Sequence, residues 1–360
     1  MNHVSLNHEL LDEVTDEIFI NLIEARITKR PCRKLALLVG ALCFTGREVL
    51  RSMTSVFSDY VEGEILNGDM KIKLEDGVLM HEHSFLIPLY RASIGRAHIT
   101  LGEPGTPEYA KNLQLCDGAK IIRQATIFPG PIPAGGIPEL KSMFSRLEVL
   151  RCPVYMILTD VKHAFPRLLN LTIDGSVPNV LKFFENADNL PLLSYFYVNL
   201  GGNVETFINN FVPSRTPKLK TFIMESAHYG DGVFDKVDIF HRFANSFPKL
   251  ASVIATVVQT RVVFNTDPAY YIEMHKKFTA AKSKAVVFLK LEHNPVTELP
   301  NGLTLDHKYV LNVLKPLGYC MNPDHTGYCK NVGVHDRTLT HHVIVELPLP
   351  AFPGVSQIIS

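Results

Sequence analysis

A nine-residue frame, (F/L/T)-(P/S)-x-L-x-x-Φ-x-Φ with Φ apolar or small, recurs at 144–152, 165–173, 190–198, 216–224 and 247–255. Its fixed leucines, Leu147, Leu168, Leu193, Leu219 and Leu250, follow one another at intervals of 21, 25, 26 and 31 residues. A unit of that size cannot bury its own apolar face, so neighbouring units must stack and share a core. The frame therefore constrains the fold more tightly than any other stretch of the chain.

Each copy ends in apolar residues two apart, as in Leu171-Thr-Ile173 or Phe196-Tyr-Val198. On a strand these share one face while the residue between them points away, which predicts a dry face and a wet face. Between the strands, Val177, Val180, Leu181, Phe184 and Ala187 keep helical spacing, and so do Val204, Phe207, Ile208 and Phe211. Proline at the second frame position cannot donate to a ladder and is expected in the turn before the strand. Alternating strand and helix in units of this length resembles an irregular leucine-rich repeat. The resemblance implies an α/β solenoid with parallel strands on its concave face.

Weaker copies at Ile94-Gly-Arg-Ala97 and Ile122-Arg-Gln-Ala125 suggest that the array begins before residue 100. The alternation Met70-Lys-Ile72-Lys-Leu74 followed by Asp76-Gly77 predicts a small hairpin turning there into Val78-Leu-Met80. Past residue 258 the repeat loosens: Tyr271, Met274 and Phe278 predict a helix, 286–291 a strand, 304–314 a helix and 343–345 a last strand. The expected organisation is a helical module at 7–61, a hairpin leading into the array at 62–110, and the array itself at 111–350.

Composition sets limits on partners. Lys plus Arg equals Asp plus Glu at 36 each, so no global field favours nucleic acid or an anionic membrane. No run reaches the roughly 18 apolar residues of a membrane span, and the first residues lack an apolar signal core. The expectation is a soluble protein of cytoplasm or nucleus that binds neither nucleic acid nor membrane. Six scattered cysteines suit reduced thiols better than a disulfide framework.

Residues 7–61 read as three short helices: a stripe of Leu11, Val14, Ile18 and Leu22, an apolar middle segment from Leu35 to Cys43, and a third stripe from Val49 to Val61. Leu10-Leu-Asp-Glu-Val14 with Ile18-Phe19 resembles the opening of an F-box, with Leu11 in place of the usual proline. The resemblance implies that Leu10, Val14, Ile18, Phe19 and Leu38 dock on the adaptor of a cullin-type ubiquitin ligase, while the repeats select its substrate. The alternative is a polar-ended helical cap of the kind a repeat array needs at its first unit.

Motifs for chemistry are nearly missing. There is no phosphate loop, dinucleotide fingerprint, nucleophile elbow or H-E-x-x-H. His81 and His83 share a strand face as metal ligands could, but solvated histidines at a hairpin edge are the ordinary reading. Cys320, His325, Cys329 and His335 could surround zinc, yet cysteines nine apart are not the C-x-x-C knuckle. The expectation is no cofactor, no metal and no catalysis, with an unrecognised hydrolase or metal enzyme as the rival. What the repeats offer is a surface. Its wet positions include Asp174, Tyr195, Tyr197, Asn199, Ile223 and Glu225, and tyrosines held on a rigid scaffold are usual interface anchors.

Overall fold

The computed structural model describes residues 13–14, 17, 47–59, 61–74, 93–119, 121–130, 137–158, 164–187, 190–229, 236–295, 307–322, 326–334 and 336–345. The fold is α/β, and the thirteen strands among the described residues are mostly parallel. The chain divides into two compact units, Met1–Leu171 with Asn186–Asp188, and Thr172–Glu185 with Asn189–Ser360.

The first unit holds α1 (Arg47–Phe57), β1 (Val61–Leu66), β2 (Asp69–Leu74), β3 (Arg96–Ile99), α2 (Pro107–Gly118), β4 (Gln124–Ile127), α3 (Lys141–Phe144) and β5 (Val149–Pro153). Its strand order is β2-β1-β3-β4-β5, with β1 and β2 antiparallel and the rest parallel. One expectation needs correction. The third helical stripe stops at Phe57, and Val61 opens a strand instead of extending the helix. Strand β2 forms a hairpin with the preceding β1 through Asn67-Gly68. Asn67 and Gly68 have φ of 53° and 73°, the two left-handed residues of a type I′ turn, which Asn-Gly adopts at least cost. Residues 76–80 lie outside the described residues. Only glycine fits at 95, because a Cβ there would stand 2.1 Å from the Ser58 carbonyl oxygen.

In the second unit lie α4 (Val177–Asn186), β7 (Tyr195–Gly201), α5 (Val204–Asn210), β8 (Thr221–Tyr229), α6 (Ile239–Asn245), β9 (Ser252–Val262), α7 (Pro268–Ala280), β10 (Val286–Pro295), α8 (His307–Leu314), β11 (Cys320–Met321), β12 (Gly327–Val334) and β13 (Arg337–Ile344), while β6 (Asn170–Ser176) begins before the division. The order is β7-β8-β9-β10-β13-β12-β11. Strands β7 to β10 and β13 run parallel, and β12 and β11 are antiparallel.

The sequence frame maps onto one structural seat. Leu147, Leu168, Leu193, Leu219 and Leu250 are buried, and each stands two residues ahead of its strand. Ile94 and Ile122 take the same seat before β3 and β4, so the weaker copies are repeats as well. The carbonyl that follows the seat performs the same task each time. In the second unit Ser194 accepts from the N–H groups of Lys220 (2.8 Å) and Thr221 (3.0 Å), and Lys220 accepts from Ala251 (2.8 Å) and Ser252 (3.1 Å). In the first, Gly95 accepts from Arg123 (2.9 Å) and Gln124 (3.0 Å), and Arg123 from Glu148 (2.7 Å) and Val149 (3.1 Å). One apolar side chain thus anchors each turn while its neighbour's carbonyl fixes the register of the next strand.

Helices cover the opposite face. Val177, Val180, Phe183 and Phe184 of α4 are buried, as are Val204, Phe207 and Ile208 of α5. Their aromatic rings continue one cluster, with Phe184 and Phe211 at 4.7 Å and Phe222 and Phe243 at 4.8 Å between centroids. Each such ring or leucine contributes on the order of 1.5–3 kcal/mol by leaving water. Helix ends are closed by side chains: Asn203 accepts from the Thr206 N–H at 3.0 Å, and the Arg337 guanidinium donates to the Ala281 carbonyl past the end of α7.

Candidate protein-binding face

Because successive side chains of a strand alternate, every buried frame position has an outward neighbour, and register aligns these into rows. In the second unit one row is Tyr197, Ile223, Ile254 and Phe288, each the direct partner of the next on β7, β8, β9 and β10. Ile254 is 38% exposed and Phe288 43%, while Tyr197 and Ile223 are half-buried. The next row is Asn199, Glu225, Thr256 and Lys290. Asp174 holds the equivalent frame position on β6, six residues after Leu168. Asp174, Asn199 and Glu225 are exposed, and among the described residues neither Asp174 nor Glu225 has an ion-pair partner. Lys290, by contrast, is held by Glu292 at 2.5 Å. An apolar row beside two unmatched carboxylates is what this face presents.

The six residues expected on the wet face all lie there, with Tyr195 and Tyr197 half-buried and not fully exposed. Phe288 and Lys290 complete the rows and were not foreseen, because β10 carries Lys284 in the seat that leucine fills elsewhere. The expectation of a strand over 286–291 supplied the only signal: Phe288 stands two residues after Val286. In the first unit the outward positions are charged instead. Arg96 stands 3.5 Å from Glu62, and Lys73 stands 3.0 Å from Glu64.

No family model, curated protein or solved structure matches this chain.

Of the residues expected to dock on an adaptor, Leu10, Ile18, Phe19 and Leu38 lie outside the described residues. Val14 is helical and 45% exposed, between exposed Glu13 and Glu17. His81, His83, His325 and His335 also lie outside the described residues. Cys320 and Cys329 do come together, as direct partners on β11 and β12. Among the described residues no group of three potential metal ligands forms. No helix of the described residues is long and apolar enough to cross a membrane.

One titratable cluster lies inside. Tyr319 places its hydroxyl 3.1 Å from His275 Nε2 and 2.5 Å from His341 Nδ1, and His341 Nε2 lies 3.0 Å from His293 Nδ1. All four side chains are buried. Burial, with Lys330 adding to it, lowers the pKa of His275 to about 4. Burial alone lowers that of His293 to about 3. His341 falls well below the ordinary value, first through burial and then through His293 and His275. The Tyr319 hydroxyl is pushed up by burial and then by Tyr271. Neutral imidazoles, buried and joined to a phenol, form a hydrogen-bonded network that ties α7, β10 and β13 together.

Proposed function

We propose that this chain is a protein-binding module, built as a leucine-rich-repeat-like solenoid, that recognises its partner on the outward face of the second unit's strands. The single observation that carries this reading is the row Tyr197, Ile223, Ile254 and Phe288, half-buried at its first two members and exposed at its last two, beside Asp174 and Glu225. Contiguous exposed apolar surface edged by polar groups is a mark of protein interfaces. The repeated seat of Leu193, Leu219 and Leu250 supports the solenoid reading, since it places chemically different outward residues on equivalent backbone. Recognition needs no chemistry of its own, in keeping with the sequence's lack of catalytic motifs.

The sharper form of the proposal makes the chain a substrate-recognition subunit of a cullin-type ubiquitin ligase. There the amino-terminal helical segment holds the adaptor through Leu10, Val14, Ile18, Phe19 and Leu38, and the repeats hold the substrate. It rests on the F-box resemblance of 10–19 and on the exposure of Val14 in a helical stretch. The test is a pull-down of purified ligase adaptor by the full chain, with a known F-box protein as positive control. Retention that Val14→Asp abolishes is expected. If wild type fails to retain the adaptor where the control succeeds, the ligase form is wrong, and the module is a repeat scaffold with no ubiquitin link.

A further inference from the structure

We infer that Cys320 and Cys329 form a reversible cross-strand disulfide, closed by exchange with a low-molecular-weight disulfide. The two residues are direct partners in the antiparallel pairing of β11 with β12, so their side chains leave the same face of the ladder. Opposed residues in such a pair have Cα atoms about 4.5–5.5 Å apart. That lies inside the window of roughly 4.4–6.8 Å that a disulfide spans. Both thiols are free, with Cys320 exposed and Cys329 half-buried. The Asn322 N–H donates to the Gly327 carbonyl at 2.8 Å, which holds the two strands in the register that sets the cysteines opposite each other.

The other described thiols make the contrast. Cys116 and Cys152 are buried, and burial pushes the Cys116 thiol up to about 12. A thiol kept protonated and out of solvent does not take part in exchange. Strand β11, by comparison, has two residues and stands last in the strand order of its unit. A short edge strand yields easily to the small approach that bonding needs.

The step balances. The exposed Cys320 thiolate attacks one sulfur of the small disulfide, forming a mixed disulfide and releasing one small thiolate. Cys329 then gives up its proton and attacks the Cys320 sulfur, releasing the second. The chain loses two protons and two electrons, and the small disulfide is reduced to two thiols. Tyr319, next to Cys320 in the chain, belongs to the buried histidine network, so closure fastens the sheet edge beside that network.

The experiment uses the full chain and oxidised glutathione as the probe. After incubation in native buffer and in urea, thiols are trapped with an alkylating reagent, and the tryptic peptide 309–330, which contains both cysteines, is weighed. Natively this peptide is expected to be unalkylated and lighter by two hydrogens, and to regain both alkylation sites after reduction. Closure should also need about tenfold less glutathione disulfide natively than in urea, because register raises the effective concentration of one thiol at the other. A native peptide that carries two alkyl groups, or glutathione without an internal bond, overturns the assignment. So does closure no easier in the folded chain than in the unfolded one.

Discussion

The Tyr319 hydroxyl lies 2.5 Å from His341 Nδ1, and which of the two donates orders the tautomers of three buried histidines. If Tyr319 donates to His341, then His341 must donate from Nε2 to His293, and the His293 proton is left on Nε2. That atom is buried and has no partner among the described residues. In the opposite sense His293 donates from Nδ1 to His341, His341 donates to Tyr319, and Tyr319 donates to His275 Nε2. Only a lone pair then remains unmatched, which is cheaper than a stranded N–H. The second polarity is therefore the stable one. Tyr319→Phe removes a donor and an acceptor at once, at about 1–3 kcal/mol for each orphaned group. A drop of about 2–5 kcal/mol in unfolding free energy is expected, read from the urea midpoint.

The same network makes stability depend on acid. Unfolded, each histidine takes up a proton near pH 6.5. Folded, His275 waits until about 4 and His293 until about 3. Between these limits the unfolded chain binds more protons than the folded one, so stability is complete above pH 6.5 and falls as pH drops towards 4. Each pKa unit is worth about 1.4 kcal/mol, so the total loss is of several kcal/mol. Unfolding midpoints measured between pH 7.5 and pH 4.5 should fall steadily, and His293→Gln should flatten part of that slope.

Leu168 and Leu169 are adjacent, yet Leu168 is fully buried and Leu169 is 39% exposed. Leu168→Ala leaves a cavity in the seat that precedes β6, and large-to-small changes of this kind cost about 2–5 kcal/mol. Leu169→Ala trims a solvent-facing side chain while its backbone N–H keeps the 2.8 Å bond to the Glu148 carbonyl. Its expected effect is within about 0.5 kcal/mol. Chemical unfolding of the two variants side by side tests the frame itself, because only the frame tells these leucines apart.

That distinction marks what the sequence makes legible. Alternation within 147–150 or 193–198 is local, and the fold answers to it directly, down to the seat two residues ahead of each strand. The hairpin turn of β1 and β2 also stood in the sequence, as Asn67-Gly68, but the regular alternation of 70–74 drew attention forwards to Asp76-Gly77, which lies outside the described residues. The histidine network had no such trace. Its members sit at 275, 293, 319 and 341, on α7, on β10, just before β11 and on β13, which only the tertiary fold brings together. Cys320 and Cys329 were visible as a pair, but nine residues of spacing cannot tell a cross-strand contact from a metal knuckle.

Asn112 is an interior residue that joins three segments. It is fully buried in α2, where its Oδ1 accepts from the Gly68 N–H at 2.9 Å and its Nδ2 donates to the Thr100 and Leu101 carbonyls at 3.0 Å each. Asn112→Ala orphans one donor and two acceptors near the β1–β2 turn, for a loss of about 3 kcal/mol or more. Asn112→Asp keeps the Gly68 bond but turns a carboxylate towards two carbonyls, so it should be no better. Loss of amide-exchange protection at Gly68 in both variants would tie the effect to the hairpin turn.

Ile254 and Phe288 separate folding from recognition. Both point out of the sheet, between Val253 and Ala255 and between Val287 and Leu289, whose side chains fill the core. The double change Ile254→Ser, Phe288→Ser is expected to leave the unfolding midpoint near that of wild type, since surface substitutions cost within about 0.5 kcal/mol. Val287→Ser, one residue away and fully buried, should be costly, because it removes buried apolar volume and places a hydroxyl in the core. If the outward row anchors a partner, the double variant loses proteins that wild type retains in quantitative co-purification, as truncation of anchor residues costs about 2 kcal/mol or more each. Glu225→Lys provides the second axis: reversing an unmatched charge beside the row should weaken the same interactions and change their salt dependence. Retention of every wild-type interaction by both variants would move the binding surface elsewhere, and with it the reason for keeping Ile254 and Phe288 in water.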